Sequence, residues 1–233
     1  MMRYRMVFLS CLFCTMNWAQ GNLLHSLTLI SKTAHWTVDE YEQLYQWENN
    51  TLYKQQLQGG PLFSESFKSI SELTQVCPVN SLRIVIFSAD QQLIGQLDNT
   101  LSLQGDWINL SELGFGNVER IAVSARPDYL WLYDSWRQRL VLFNCRTQIN
   151  EQVVDYALGN EEDVHLVQFY ESTMQLHVEL SNGLHVLFDR NLTQLNTQTQ
   201  AQTSLNSFQK CDLERNGRCY VQDNAKILVY GPK

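Results

Sequence analysis

The densest group of ionisable residues in the sequence is the run Asn160, Glu161, Glu162 and Asp163, followed closely by His165. Carboxylates and an imidazole are ligands that cations accept in proteins. Consecutive side chains point in different directions, however, and this run falls between predicted repeats. We therefore favour a solvated loop here and predict no metal site.

Two histidines, His177 and His185, flank the predicted hairpin turn at Asn182-Gly183 and lie on facing strands. They could ligate a metal ion together, but a mononuclear site needs a third protein ligand that the sequence does not supply. We favour an ordinary cross-strand pair. No cofactor is predicted for any part of the chain.

Aromatic and guanidinium groups cluster around one predicted hairpin, at Trp131, Tyr133, Trp136, Arg137 and Arg139. Alternation along a strand places Trp131 and Tyr133 on one face, so we favour the core for both. The other three fall in or beside the turn and are expected to be at least partly exposed. Because tryptophan and arginine are enriched at binding hot spots, we predict a contact surface at Trp136, Arg137 and Arg139.

Four cysteines follow the N-terminal segment, at Cys77, Cys145, Cys211 and Cys219. Cys211 and Cys219 enclose a polar stretch with Asn216-Gly217, which predicts a hairpin bridged by a Cys211–Cys219 disulfide. Zinc is the alternative, but there is no Cys-x-x-Cys motif and no histidine after His185. The pairing of Cys77 and Cys145 stays open.

Motifs for catalysis are missing from the sequence. There is no Gly-x-Ser-x-Gly motif for a serine nucleophile, and Gly114-Phe115-Gly116 lacks the later glycine and the helix of a phosphate-binding loop. No cysteine lies in a setting that would lower its pKa. The sequence therefore predicts a protein that is not an enzyme.

The elements that position these residues are short strands, because β-branched, aromatic and other apolar residues recur in brief runs broken by turn residues. Asn and Gly at the breaks tolerate the positive φ of tight turns. The predicted strands cover residues 82–87, 121–124, 129–133, 140–143, 165–169, 176–180, 184–188 and 227–230.

A strand–turn–strand unit repeats five times along the chain. Equivalent positions are 40–46 residues apart and fall at Tyr45, Val85, Trp131, Leu176 and Cys219. A period of this length with internal hairpins is typical of propeller blades, which bury their faces by stacking radially. The fold class predicted is all-β, with about five propeller-like antiparallel blades of 40–46 residues. An open or incomplete ring and a β-sandwich remain alternatives.

Residues 84–87, 97–102, 130–134 and 140–143 carry a resemblance to known proteins. Over about residues 36–188 the chain resembles a group of uncharacterised secreted proteins of Bacteroidota, which are generally taken to be β-propeller-like. The resemblance implies a propeller-like fold and a bacterial envelope setting. It supplies no catalytic residues.

The first residues resemble a secretory signal peptide, with Arg3 and Arg5 before an apolar run that is too short to span a bilayer. Cleavage is expected after Ala19, and a lipid anchor on Cys11 or Cys14 is the rival reading. We therefore divide the chain into a signal peptide at 1–19 and a single propeller-like domain at 20–233. An exported protein is expected in the periplasm, at the outer membrane or outside the cell.

The charge balance limits the class of partner. Lysine and arginine number 17 and aspartate and glutamate 24, for a net charge of −7 without any basic run. This argues against nucleic acid or an anionic membrane as the main partner, and no transmembrane segment is predicted. We predict a non-catalytic scaffold that binds protein partners in the cell envelope. An exported hydrolase with an axial site and a small-ligand or glycan-binding module are the alternatives.

Overall fold

The computed structural model of the protein describes residues 22–57, 62–157, 164–172, 174–199, 213–215 and 218–231. These residues form twenty β-strands in five antiparallel sheets of four strands each. No helix in this part of the chain is long and apolar enough to cross a membrane.

The first three sheets each use four consecutive strands. Blade 1 contains β2 (His35–Val38), β3 (Gln43–Glu48), β4 (Thr51–Gln56) and β5 (Phe63–Ser66). Blade 2 contains β6 (Gln75–Asn80), β7 (Arg83–Ser88), β8 (Leu93–Leu97) and β9 (Ile108–Asn109). Blade 3 contains β10 (Val118–Val123), β11 (Tyr129–Asp134), β12 (Arg139–Asn144) and β13 (Ile149–Asp155).

The fifth sheet joins the two ends of the chain. Blade 4 contains β14 (Leu166–Ser172), β15 (Gln175–Leu180), β16 (Leu184–Phe188) and β17 (Gln194–Thr199). Blade 5 has the order β18 (Leu213–Arg215), β19 (Arg218–Asp223), β20 (Lys226–Tyr230) and β1 (Leu23–Thr28). The N-terminal strand thus completes the last sheet.

The sheets are arranged as the blades of a propeller. The first strands of neighbouring blades contact one another, β2 with β6, β6 with β10 and β10 with β14, so these strands line the central axis. We call the end with the turns between second and third strands the upper face. The end with the turns between first and second strands is the lower face. The predicted five-bladed arrangement is confirmed.

The strong strand signal in the sequence comes from strands that are buried on both sides. In β7, Val85 and Phe87 pack toward blade 3, whereas Ile84 and Ile86 pack toward blade 1. Since successive side chains of a strand point to opposite faces, a strand between two blades must be apolar at every position. Described core clusters of this kind lie between blades 5 and 1, 1 and 2, 2 and 3, and 3 and 4.

Two glutamines of blade 2 also tie that blade to the innermost strand of blade 3. The Gln75 side chain accepts a bond from the Ile121 amide at 2.8 Å and donates to the Ile121 carbonyl at 3.3 Å. Gln92 makes the same pair of bonds with Val118, at 2.8 and 2.9 Å. These side chains satisfy backbone groups that strand pairing leaves open at the axial edge of β10.

Candidate functional site

The most exposed large apolar side chain among the described residues is Trp136, whose exposed fraction is 81%. It lies on the upper face, in the turn between β11 and β12, and its neighbour Arg137 is exposed as well. Residue Gln138 closes the turn with a φ of 49° and donates from its amide to the Ser135 carbonyl at 3.2 Å. The exposed tryptophan is therefore carried by a hydrogen-bonded turn.

A buried carboxylate fixes that turn from below. Asp134, at the end of β11, has no exposed surface and accepts bonds from the backbone amides of Gly116, Asn117 and Arg137. The first two amides belong to the loop that enters blade 3. Asp134 thus holds the turn and the loop together as one unit of the upper face.

Arg139 completes the surroundings of Asp134. Its Nε and Nη2 atoms both lie 3.1 Å from Asp134 Oδ2, and its guanidinium lies over the Phe115 ring at 5.3 Å. Only 17% of the Arg139 side chain is exposed. The structure therefore places Arg139 in an intramolecular ion pair, and its role in a contact surface stays a prediction. Trp136 and Arg137 are the exposed members of the predicted contact surface.

The pKa of Asp134 lies below its usual range. Burial opposes ionisation, but the amides of Asn117, Gly116 and Arg137 and the charge of Arg139 together outweigh it. Asp134 is therefore ionised at neutral pH.

Close contact with a glycine determines where Trp136 lies. A Cβ atom on Gly116 would come within 2.7 Å of the Trp136 Cβ, which is closer than two non-bonded carbon atoms approach in proteins. Gly114, in the same loop, has a φ of 80° that favours glycine. Both glycines of the Gly114-Phe115-Gly116 segment thus have structural roles beneath the tryptophan.

Trp131 and Tyr133 lie in the core between blades 3 and 4, as alternation predicted. Their exposed fractions are 3% and 2%, and burial together with the nearby Glu119 carboxylate raises the pKa of Tyr133 to about 12. The buried indole Nε1 of Trp131 donates to Glu171 on β14. Neither aromatic ring is available to a partner.

The two histidines of blade 4 contact each other. His177 Nδ1 and His185 Nε2 are 3.1 Å apart, and the two rings stack with centroids separated by 5.2 Å. Tyr170 stacks on the other side of His177 at 4.6 Å. Burial, and secondly His185, lowers the pKa of His177. Among the described residues no three histidine, cysteine or acidic side chains are grouped so as to hold a metal ion.

The His177 contacts predict a pH dependence of stability. Because the folded-state pKa of His177 is below the unfolded value of about 6.5, the unfolded chain binds a proton that the folded chain resists. Stability should therefore decline as the pH falls below about 6.5, and His177→Gln should make this decline shallower. Urea unfolding at several pH values between 5 and 8, in roughly half-unit steps, checks this. Parallel profiles for the native protein and the variant would contradict it.

A cavity of about 700 Å³ lies on the axis and opens to the lower face. Its walls are the innermost strands β2, β6, β10 and β14. Two carboxylates, Glu40 and Glu171, and two guanidiniums, Arg83 and Arg126, are part of its lining, and no histidine of the described residues is. The axis is therefore not filled by apolar side chains, and the described lining of the cavity does not combine carboxylates with histidines.

Several sequence-based predictions fall outside the described residues. They are the signal peptide at 1–19, the acidic run at 160–163 and Cys211 of the predicted Cys211–Cys219 disulfide. Cys219 is fully buried on β19, and the pairing stays a prediction. Cys77 and Cys145 carry thiols rather than a disulfide, and burial raises the pKa of Cys145 to about 12.

Comparisons with known proteins support the fold alone. No protein-family model matches the chain, and no curated protein sequence matches it. The Neurospora crassa Pan2 WD40 domain is similar in structure, with a TM-score of 0.55, 9% identity, and coverage of 79% of this chain and 57% of that one. The WD40 β-propeller domain of Doa1 is similar with a TM-score of 0.53, 11% identity, and coverage of 85% and 63%. This chain spans less than two thirds of either structure.

Two features of the site were not foreseen from the sequence. The role of Asp134 depends on amides of a loop about twenty residues earlier, although an aspartate at the end of a strand before a turn is a weak signal for it. The axial cavity combines residues from four blades, and no local motif marks such a site.

Proposed function

We propose that the protein is a non-catalytic β-propeller scaffold that binds a protein partner through its upper face. The observation that carries this proposal is Trp136, an indole that is 81% exposed on a turn fixed by the buried Asp134 carboxylate. A tryptophan that is 81% exposed keeps most of its apolar surface in water, and a partner that covered it would remove that surface from water. A preordered aromatic group beside an arginine is the typical centre of a protein–protein contact, since little entropy is lost on binding.

The setting that we propose is the bacterial cell envelope. The basic and apolar residues at 1–19 support export, and the resemblance to secreted Bacteroidota proteins supports the same setting. A Cys211–Cys219 disulfide is part of this proposal, because an oxidising compartment permits it. Mass spectrometry of peptides from the unreduced protein tests the bridge.

Loss of the exposed pair should abolish capture of the partner. With the protein immobilised and incubated with solubilised envelopes of the source organism, a Trp136→Ala, Arg137→Ala double variant should retain the partner about tenfold less or worse, as expected for a hot spot. Quantitative mass spectrometry of the bound fraction provides the measurement.

Tyr41→Ala is the matched control for this experiment. Tyr41 is an exposed aromatic side chain, 59% exposed, in the turn between β2 and β3 on the lower face. We expect this variant to capture the partner as the native protein does. If the double variant captured every protein that the native bait captures, the assignment of the upper face would be wrong.

A further inference from the structure

The lower mouth of the axial cavity has a chemistry that the proposed function does not use. Arg83 begins β7, Arg126 lies in the turn between β10 and β11, and both line the cavity. Arg83 forms an ion pair with Asp128 of that same turn, so the two turns lie side by side. Two guanidiniums from neighbouring blades therefore border one opening.

We propose that this mouth binds a small organic anion through Arg126 and Arg83. The chemistry that recognises the ligand is an oxyanion, either a carboxylate or a phosphate, attached to an apolar portion. This site is separate from the upper face and does not depend on the proposed partner.

Hydrogen bonding shows which charges at the mouth are already engaged. Glu171 accepts bonds from the Ser124 hydroxyl at 2.7 Å and from the Trp131 indole, and Glu40 also has a partner within the protein. The Asp128 carboxylate forms an ion pair with Arg83, and its Oδ2 atom lies 3.9 Å from Arg146 Nε. All three carboxylates of the mouth therefore have partners.

The guanidiniums, in contrast, retain unused donors. The Arg126 side chain makes no hydrogen bond or ion pair with the described residues, and only its backbone is bonded: the amide donates to the Ser124 hydroxyl and the carbonyl accepts from the Tyr129 amide. Arg83 Nε is buried and has no acceptor in the part of the chain that the structure describes. Because a buried donor without a partner is costly, an acceptor supplied by a ligand would stabilise this arrangement.

The shape of the mouth fits an oxyanion with an apolar portion. A guanidinium presents its donors in a planar fork that matches carboxylate and phosphate oxygens. The apolar groups of Leu82 and Pro127 and the ring of Tyr170 line the same opening. The volume of about 700 Å³ lies within the range usual for small-molecule sites.

Calorimetric titration with benzoate and with phenyl phosphate, which share the same apolar ring, tests the site. The native protein should show saturable binding of at least one probe, and the probe that binds tells carboxylate from phosphate recognition. Arg126→Gln should weaken this binding about tenfold or more, because a charged donor is lost. Since the Arg126 side chain has no hydrogen-bond or ion-pair partner among the described residues, the variant should unfold at the native temperature.

Arg137→Gln is the matched control, because it removes an exposed arginine from the upper face. It should leave the binding of either probe unchanged within about twofold, the scatter expected for a distant site. Absence of saturable binding of both probes would overturn the proposal, and so would equal weakening by both variants. Partner capture by Arg126→Gln should equal that of the native protein, so failure of this site is distinguishable from failure of the proposed function.

Discussion

Replacing Asp134 with alanine should lower the free energy of unfolding by about 3–5 kcal/mol, since it removes one partner of a buried ion pair. The substitution leaves the Arg139 guanidinium without its carboxylate and three backbone amides without an acceptor. For a domain of this size, a loss of that magnitude should lower the Tm by roughly 6–20 °C. Urea unfolding followed by circular dichroism checks the free energy.

The pH profile of the same variant gives a second test. Because the folded-state pKa of Asp134 is depressed, its stabilising effect is complete above the unfolded value of about 3.9 and is lost as the pH falls through the folded value. The native protein and Asp134→Ala should therefore differ most at neutral pH and converge in acid. A constant difference down to about pH 2 would contradict the account of an ionised carboxylate.

The matched control for Asp134 is Asp90→Ala. Asp90 is an exposed aspartate in the equivalent turn of blade 2, between β7 and β8. Its substitution should change the free energy of unfolding by no more than about 0.5 kcal/mol, as is usual for exposed positions.

Completion of blade 5 by β1 leads to the second large effect. Strand β1 pairs with β20, and the Leu29 amide donates to the Ala225 carbonyl at 2.9 Å. Hydrogen-bonded pairs alternate along an antiparallel ladder, so the Leu27 amide also points toward β20 and the Ser26 amide points away. Leu27→Pro should lower the free energy of unfolding by about 2–3 kcal/mol, because it removes a ladder bond and a partly buried side chain.

Two control variants separate the causes of this loss. Ser26→Pro keeps every ladder bond and should be tolerated better, because proline fits an edge strand where the amide faces solvent. Leu27→Ala removes the side chain alone and should cost about 1 kcal/mol. Equal stability of the two proline variants in urea unfolding would show that β1 does not pair with β20 as described.

The parts of the fold that the sequence predicts are those where packing constrains every residue. Second and third strands such as β7 and β12 are buried between two blades, so their apolar runs and their spacing are visible in the sequence. Strand β1 was missed because its sequence is only weakly patterned and its partner β20 lies about 200 residues away. Outer strands such as β5 are largely exposed, so burial places few constraints on their residue types and the strand pattern in the sequence is weak.

The same reasoning explains which residues of the site could be predicted from the sequence. The exposure of Trp136 and Arg137 was predictable because the turn that contains them is formed by residues adjacent in the sequence. The ion pair of Arg139 was not foreseen, since it requires that Asp134 be buried, and burial depends on the loop at 114–117. The mouth of the axial cavity brings Arg83 and Arg126 together only after blades 2 and 3 stack.

Hydrogen exchange of the protein with and without its captured partner tests the central claim most directly. Amides in the turn at 135–138 and the loop at 114–117 should exchange more slowly in the complex, because the partner covers Trp136. Amides in the lower-face turns, such as that of Tyr41, should exchange at the same rate in both states. Protection confined to the lower face or to the outer strands, with none at 135–138, would contradict the assignment of the upper face as the binding surface.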